Sequence, residues 1–160
     1  MQSKSVYLAG PFFSKGQNDR VTTVKRLLET NQTINSGAIF LPGKDEYTDA
    51  PVGSFEWQIA TFNADIRQID QADIVVAILD YELEDGKHES DAGTIWECGY
   101  AFGQHKPVFL VRFDKQIELS INLMLAGSYT AMFNGEKDVQ NLASYDFYNL
   151  KNKYVHLDVI

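Results

Sequence analysis

The ten residues QADIVVAILD, positions 71–80, decide the fold. Residues 74–79 form an unbroken aliphatic run, too short for a buried helix and without a polar face, which is the composition of a strand covered on both sides. Such a strand belongs in the middle of a parallel sheet. The stretch before it, 55–71, carries Ile59, Phe62, Ile66 and Ile69 at helical spacing. The stretch after it, 92–104, reads as another helix, with Ile95, Tyr100 and Phe102 beside a close-packing pair, Gly99 and Gly103. Further out, 6–9, 39–41, 108–112 and 129–133 are the other strand candidates, and 18–31 is a helix with Val21, Val24, Leu27 and Leu28 on one face. This alternation predicts an α/β fold: one domain over 1–160, a doubly wound, flavodoxin- or Rossmann-like sheet of five parallel strands flanked by helices.

The composition narrows the partners. Among 160 residues, 14 basic against 22 acidic side chains leave a net charge of -8, which repels phosphate backbones and anionic lipid. Neither nucleic acid nor a membrane is an expected partner. Cys98, the single cysteine, cannot close an internal disulfide, and His88, His105 and His156 do not stand at zinc-ligand spacing. No metal and no cofactor is expected. The first residues, MQSKSVYLAGPFF, lack the apolar region of a secretory leader, and no apolar run is long enough to span a bilayer, so the expected compartment is the cytoplasm.

In an open parallel sheet the ligand crevice lies outside the carboxyl ends of the strands. The loops to read are therefore 10–17, 42–54, 80–91 and 113–122, of which 80–91, DYELEDGKHESD, is taken as an ordered or semi-ordered acidic loop. GPFFSKG, 10–16, matches neither G-x-G-x-x-G nor the Walker pattern, there is no G-x-S-x-G elbow, and Cys98 follows an acidic residue that weakens it as a nucleophile. Carboxylates remain. Asp91 and Glu97 flank the start of the third helix, and Asp73 begins the central strand. Each has a structural reading: Asp91 as an N-cap, Thr94 with Glu97 as a capping box, Asp73 as a turn residue. Each also has a chemical one, because carboxylates converging in a pocket can cleave a glycosidic bond, one as nucleophile and another as acid. Tyr7 is either a core aromatic or a hydroxyl that orients a carboxylate. Phe12, Phe13 and Trp57 either belong to the core or line a base-stacking pocket, and Asn122 is placed to cap a short helix.

Four stretches in this order closely resemble the nucleoside 2-deoxyribosyltransferase family: VYLAGPFF (6–13), WQIATFNADIRQIDQADIVVAILD (57–80), DAGTIWECGYAFGQHKPVFLV (91–111) and INLML (121–125). The combination of D-x-G-x-x-x-E-x-G-x-A with a downstream I-N-L-M is specific, and the resemblance covers nearly the whole chain. It implies transfer of a 2-deoxyribosyl group between nucleobases with retention at the anomeric carbon. On that likeness Glu97 is the nucleophile that forms a glycosyl-enzyme intermediate, and Tyr7 holds its carboxylate. Asp73 contacts the base and protonates it on departure, and Asp91 binds a sugar hydroxyl. Asn122 and the Met124 backbone reach the sugar from a neighbouring subunit. The substrates implied are deoxynucleosides and free nucleobases, and the assembly is a dimer-based homo-oligomer, a hexamer in many members. Two departures stand out. Where many members carry an amide that contacts the base, PGKDEYTD (42–49) places Glu46, and the chain closes on HLDVI where several members end in tyrosine.

Two other readings share parts of this pattern. A nucleoside or deoxynucleotide N-hydrolase has the same fold and carboxylates, but DAGTIWE offers one threonine in an acidic surround for a 5′-phosphate. A receiver-like signalling module is suggested by the acidic α/β chain and Lys106-Pro107, yet that pair precedes its strand where a receiver's lysine ends one.

Overall fold

The computed structural model describes residues 2–43, 48–79, 81–84, 87–113 and 121–159. Its strands in chain order are β1 (Lys4–Ala9), β2 (Ile34–Phe40), β3 (Ile74–Ile78), β4 (Tyr81–Glu84), β5 (Lys87–Ser90), β6 (Val108–Arg112) and β7 (Ala131–Asn134). Five of them form one sheet in the order β2-β1-β3-β6-β7, and every pairing in it is parallel. The predicted central strand, β3, stands in the middle with all five residues buried. The helices α1 (Lys15–Thr30), α2 (Phe55–Gln71) and α3 (Ala92–Gly103) supply the crossovers, joined by the short α4 (Leu123–Ala126) and α5 (Glu136–Val139).

Strand alternation sorts the core into two layers. Val6 and Leu8 of β1 point to α1, where they pack with Val24, Leu27, Leu28 and, from beyond β7, Leu142 and Phe147. Tyr7 and Ala9 point the other way and pack with Ile69 of α2 and with Cys98 and Ala101 of α3. The chain order reverses between β1 and β3, so the crevice opens there, at Gly10 and Leu79. Glycine suits that edge, since a Cβ on Gly10 would sit 3.2 Å from Cβ of Ile78, a tight contact that the isoleucine would have to yield to.

Several expectations are corrected. Within the stretch read as a loop, Tyr81–Glu84 and Lys87–Ser90 are strands: β4 and β5 pair antiparallel, with Tyr81 opposite Ser90. The face read on α2 is divided: Ile69 is fully buried and Ile66 half-buried, while Ile59, 48% exposed, and Phe62, 52% exposed, are turned outward. Among the described residues Gly99 and Gly103 have no close packing, for none lies within 4 Å of a Cβ on either. The 39–41 strand is the end of a longer edge strand whose polar residues Asn35, Ser36 and Gly37 are exposed. The strand expected at 129–133 begins two residues later, at Ala131. The segment after the sheet runs back along β7, where Lys153 bridges Ala131, and on to α4, where Ile121 N–H donates to Asp158 at 2.8 Å.

Candidate active site

The site is built where β1 meets α2 and α3. Tyr7 lies on β1 opposite Val75 of β3, fully buried, its ring stacked on Phe40 at 5.4 Å. Its hydroxyl donates to Oε1 of Glu97. Glu97 occupies the second turn of α3, a helix that starts because Asp91 caps it: Asp91 Oδ2 accepts from Thr94 N–H and from the Thr94 hydroxyl, each at 2.8 Å. The N-cap reading of Asp91 is therefore realised, and the Thr94–Glu97 capping box is not. That leaves the Glu97 carboxylate free of any capping duty and turned toward the sheet.

Burial is the main influence on Glu97 and raises its pKa. The Tyr7 hydrogen bond opposes the rise, while the negative charges of Asp65 and Asp91 add to it, so the carboxyl is pushed up to about 7. Burial, then the Glu97 charge, raise the Tyr7 hydroxyl far above its usual range, so it remains a donor. The neighbouring Cys98 thiol, buried and beside Glu97, is pushed up to about 12 and carries no nucleophilic thiolate at neutral pH.

Asp73 is not in this site. In a parallel sheet a residue that precedes its strand lies at the amino edge, opposite the crevice. There Asp73 Oδ2 accepts from Ser5 N–H at 2.8 Å and from the Ser5 hydroxyl at 2.9 Å, while Asp73 N–H donates to Ser5 Oγ at 3.0 Å. Burial alone would raise its pKa, but the two bonds to its carboxylate outweigh burial and hold it below the usual carboxylate range. It joins β1 to β3, and the turn reading holds.

A carboxylate that the sequence reading passed over, Asp65, also acts on this site through its charge. It is half-buried on α2, and its charge acts on both Tyr7 and Glu97. A signal existed: 57, 61, 65 and 69 recur at four-residue spacing, ending on the fully buried Ile69, so a carboxylate at 65 had to lie on the sheet-facing stripe. Above Asp65 on that stripe, Trp57 Nε1 and Thr61 Oγ1 are buried without a hydrogen-bond partner.

The mouth is shaped by the β1–α1 loop. Gln17, 5% exposed, accepts at Oε1 from Phe13 N–H at 2.7 Å and Ser14 N–H at 3.0 Å, and Asn18 donates to the Phe12 carbonyl at 2.9 Å. This pins the backbone that presents Phe13, 74% exposed, to the crevice side. Asn122 caps α4, its Oδ1 accepting from Met124 N–H at 2.9 Å, with Met124 79% exposed on the outer surface. Glu46 lies outside the described residues. Among the described residues no cluster of His, Cys, Asp or Glu is arranged to hold a metal ion.

A family model described as nucleoside 2-deoxyribosyltransferase matches residues 6–141. A nucleoside deoxyribosyltransferase of Limosilactobacillus fermentum is 33% identical over 152 residues, covering 89% of this chain and 85% of its own. The solved structure of a 2-deoxyribosyltransferase from Bacillus psychrosaccharolyticus is 32% identical, with a TM-score of 0.76 over 95% of this chain and 99% of that one. A CMP N-glycosidase from Clostridium botulinum, 18% identical with a TM-score of 0.54 over 91% of this chain and 99% of that one, shares the fold alone.

Proposed function

Since the chain belongs to the nucleoside 2-deoxyribosyltransferase family, an enzyme family of deoxyribosyl transfer, we propose that it moves the sugar between bases by double displacement on Glu97. The observation that carries this reading is the half-buried Glu97 carboxylate, held by the Tyr7 hydroxyl and within reach of the Asp65 charge. In the first step a Glu97 oxygen attacks the anomeric carbon and forms an ester to the sugar. The C–N bond breaks, its electron pair leaves with the base, and Asp65 donates the proton that neutralises it. In the second step the nitrogen of an incoming base attacks the same carbon from the face the first base left, its proton passes to Asp65, and Glu97 is released. Two inversions give net retention. Tyr7 is a positioning residue, fixing the carboxylate and sharing its charge when Glu97 departs.

Asp91 binds a sugar hydroxyl in this scheme, since both its described bonds use Oδ2, and Phe13 and Trp57 flank the base. The substrates are deoxynucleosides and free nucleobases, and the setting is cytoplasmic nucleoside salvage, in keeping with the acidic, one-cysteine composition. The active form is a homo-oligomer: α2 and α3 turn Phe55, Ile59, Phe62, Trp96 and Phe102 outward, and Phe62 meets Trp96 at 5.7 Å, a contiguous apolar face of the kind that a second copy covers. Asn122 and the Met124 backbone, on the exposed α4, serve a neighbour's sugar site.

Incubation with a deoxynucleoside and a different free base tests the reading. A new deoxynucleoside, and a one-deoxyribosyl adduct on the Glu97 peptide when the acceptor is withheld, are expected. Free sugar as the sole product would make the protein a hydrolase, and an adduct on another residue would remove Glu97 from the role.

A further inference from the structure

Tyr7 meets Glu97 with the far end of its side chain, where any tilt of the ring is magnified. Glu97 stands on α3, which packs on β3 and β6, so from Tyr7 it lies toward β3. The edge strand β2 lies the other way, and its residue opposite Tyr7 is Phe40. The two rings are stacked, 5.4 Å apart and 23° from parallel, in the range where aromatic pairs attract beyond their buried area. On the β3 side the residue opposite Tyr7 is Val75, an aliphatic that offers the hydroxyl nothing to bond. Between β2 and the last turns of α2 runs an open groove of about 360 Å³, lined among others by Ser5, Ala38, Phe40, Gln68 and Gln71. Phe40 lines this groove, whereas the fully buried Tyr7 does not. A smaller side chain at 40 would leave the Tyr7 ring room to tilt toward β2, and its hydroxyl would then move away from Glu97.

We propose that Phe40 is a positioning residue for the reaction, backing the Tyr7 ring from the edge of the sheet and so keeping the Tyr7 hydroxyl on Glu97. The inference rests on the reading of Glu97 as nucleophile given above. The groups that act on Glu97 by charge or hydrogen bond are Tyr7 from β1, Asp65 from α2 and Asp91 at the head of α3. Phe40 carries no charge and no polar group, so it reaches Glu97 only through Tyr7 or by keeping water away. These two routes have opposite signs. The Tyr7 bond holds the Glu97 pKa down, so loosening it raises the carboxyl further, whereas burial pushes the carboxyl up, so admitting water lowers it.

The test follows kcat/KM for deoxyribosyl transfer from pH 5 to pH 10, where the acid limb reports the ionisation of the free enzyme. Wild type is compared with Phe40→Leu, Phe40→Met, Phe40→Tyr, Tyr7→Phe and the double variant Tyr7→Phe with Phe40→Leu, each checked for folding by circular dichroism. Tyr7→Phe deletes the donor and is expected to move the limb upward by about one to two pH units, the worth of a hydrogen bond to a charged group. Phe40→Leu is expected to move it the same way by about half a pH unit or more, a partial loss of the same bond. It should also lower kcat at pH 8 by about tenfold, part of the about 10²-fold that a 1 Å misplacement costs. Phe40→Met, which fills more of the ring's volume, moves the limb upward by less, and Phe40→Tyr, which keeps a ring, leaves it in place. In the double variant the limb stands where Tyr7→Phe alone puts it. A limb that stays put in the folded Phe40 variants, or moves downward as water entry requires, overturns the proposal while leaving transfer on Glu97 standing. So does a double variant whose limb lies above that of Tyr7→Phe, or a Tyr7→Phe limb that does not move. If Phe40→Leu does not fold, Phe40→Met decides alone. A wild type with no acid limb, or one that forms no new deoxynucleoside, overturns the reading of Glu97 and this inference with it.

Discussion

Replacing Glu97 by glutamine should strengthen the fold while abolishing the reaction, and the gain should depend on pH in a defined way. The folded protein holds the Glu97 carboxyl at about 7 against an ordinary 4.5. A group whose folded pKa lies above its unfolded value stabilises the fold only while protonated. The contribution is fully present below pH 4.5 and is lost as pH rises through 7. Each pH unit of displacement corresponds to about 1.4 kcal/mol, so ionised Glu97 destabilises the fold by at most about 3.5 kcal/mol, and by about 2 kcal/mol once its partial exposure is discounted. The glutamine amide stays neutral and keeps an oxygen to accept from Tyr7, so it mimics the protonated acid at every pH. Thermal melts of both proteins at matched concentration, from pH 4 to pH 9, should therefore coincide at the acid end and diverge through the window. Above pH 7 the variant should melt about 4–8 °C higher, given about 2–4 °C per kcal/mol at this chain length. A constant offset across the range, or a variant less stable at pH 8, would refute the claim that the nucleophile is held against a desolvation cost.

The same displaced titration predicts that kcat/KM falls as pH drops below about 7, because the nucleophile must be ionised; a profile flat from pH 5 to pH 8 contradicts it. Asp65→Asn should slow transfer by about 10²–10⁴-fold through loss of the general acid, and should move the acid limb of the residual activity to lower pH, since the Asp65 charge raises Glu97. Asp73→Asn should cost about 1 kcal/mol or less in denaturant unfolding and leave transfer unchanged, as its bonds join two strand ends far from the crevice. Phe62→Glu with Trp96→Glu should shift the sedimenting species to monomer and abolish transfer, if α4 of one copy completes the site of another; monomers of full activity would remove the shared site.

The sequence yielded the sheet readily because β3 is aliphatic throughout and no other element suits such a run. It yielded Glu97 and Tyr7 through resemblance, since the Tyr7–Glu97 hydrogen bond joins residues 90 positions apart that no local pattern connects. Asp73 misled for a related reason. It sits beside the most conspicuous strand, and nothing in its neighbours says at which end of the sheet it lies until the strands are known to be parallel. Asp65 was hidden by hydropathy: the apolar residues Ile59, Phe62, Ile66 and Ile69 draw attention away from a carboxylate, although Ile59 and Phe62 are exposed and Asp65 is half-buried. The hairpin was missed although Asp85-Gly86, the dipeptide between its strands, is among the strongest turn signals. Its acidic surroundings read as a solvated loop.

The alternation along β1 makes the molecule two separable machines sharing one strand. Val6 and Leu8 answer only to the α1 layer, while Tyr7 and Ala9 answer only to the reacting side. Substitutions in the α1 layer can therefore accumulate, for heat tolerance or solubility, with effects that add to those of active-side changes instead of compounding them. A single inserted or deleted residue in β1 has no such latitude. It exchanges the two sets at once, turning Tyr7 into the α1 layer and leaving Glu97 without its donor, so the length of this one strand is a stricter constraint on descendants of the protein than the identity of most of its residues.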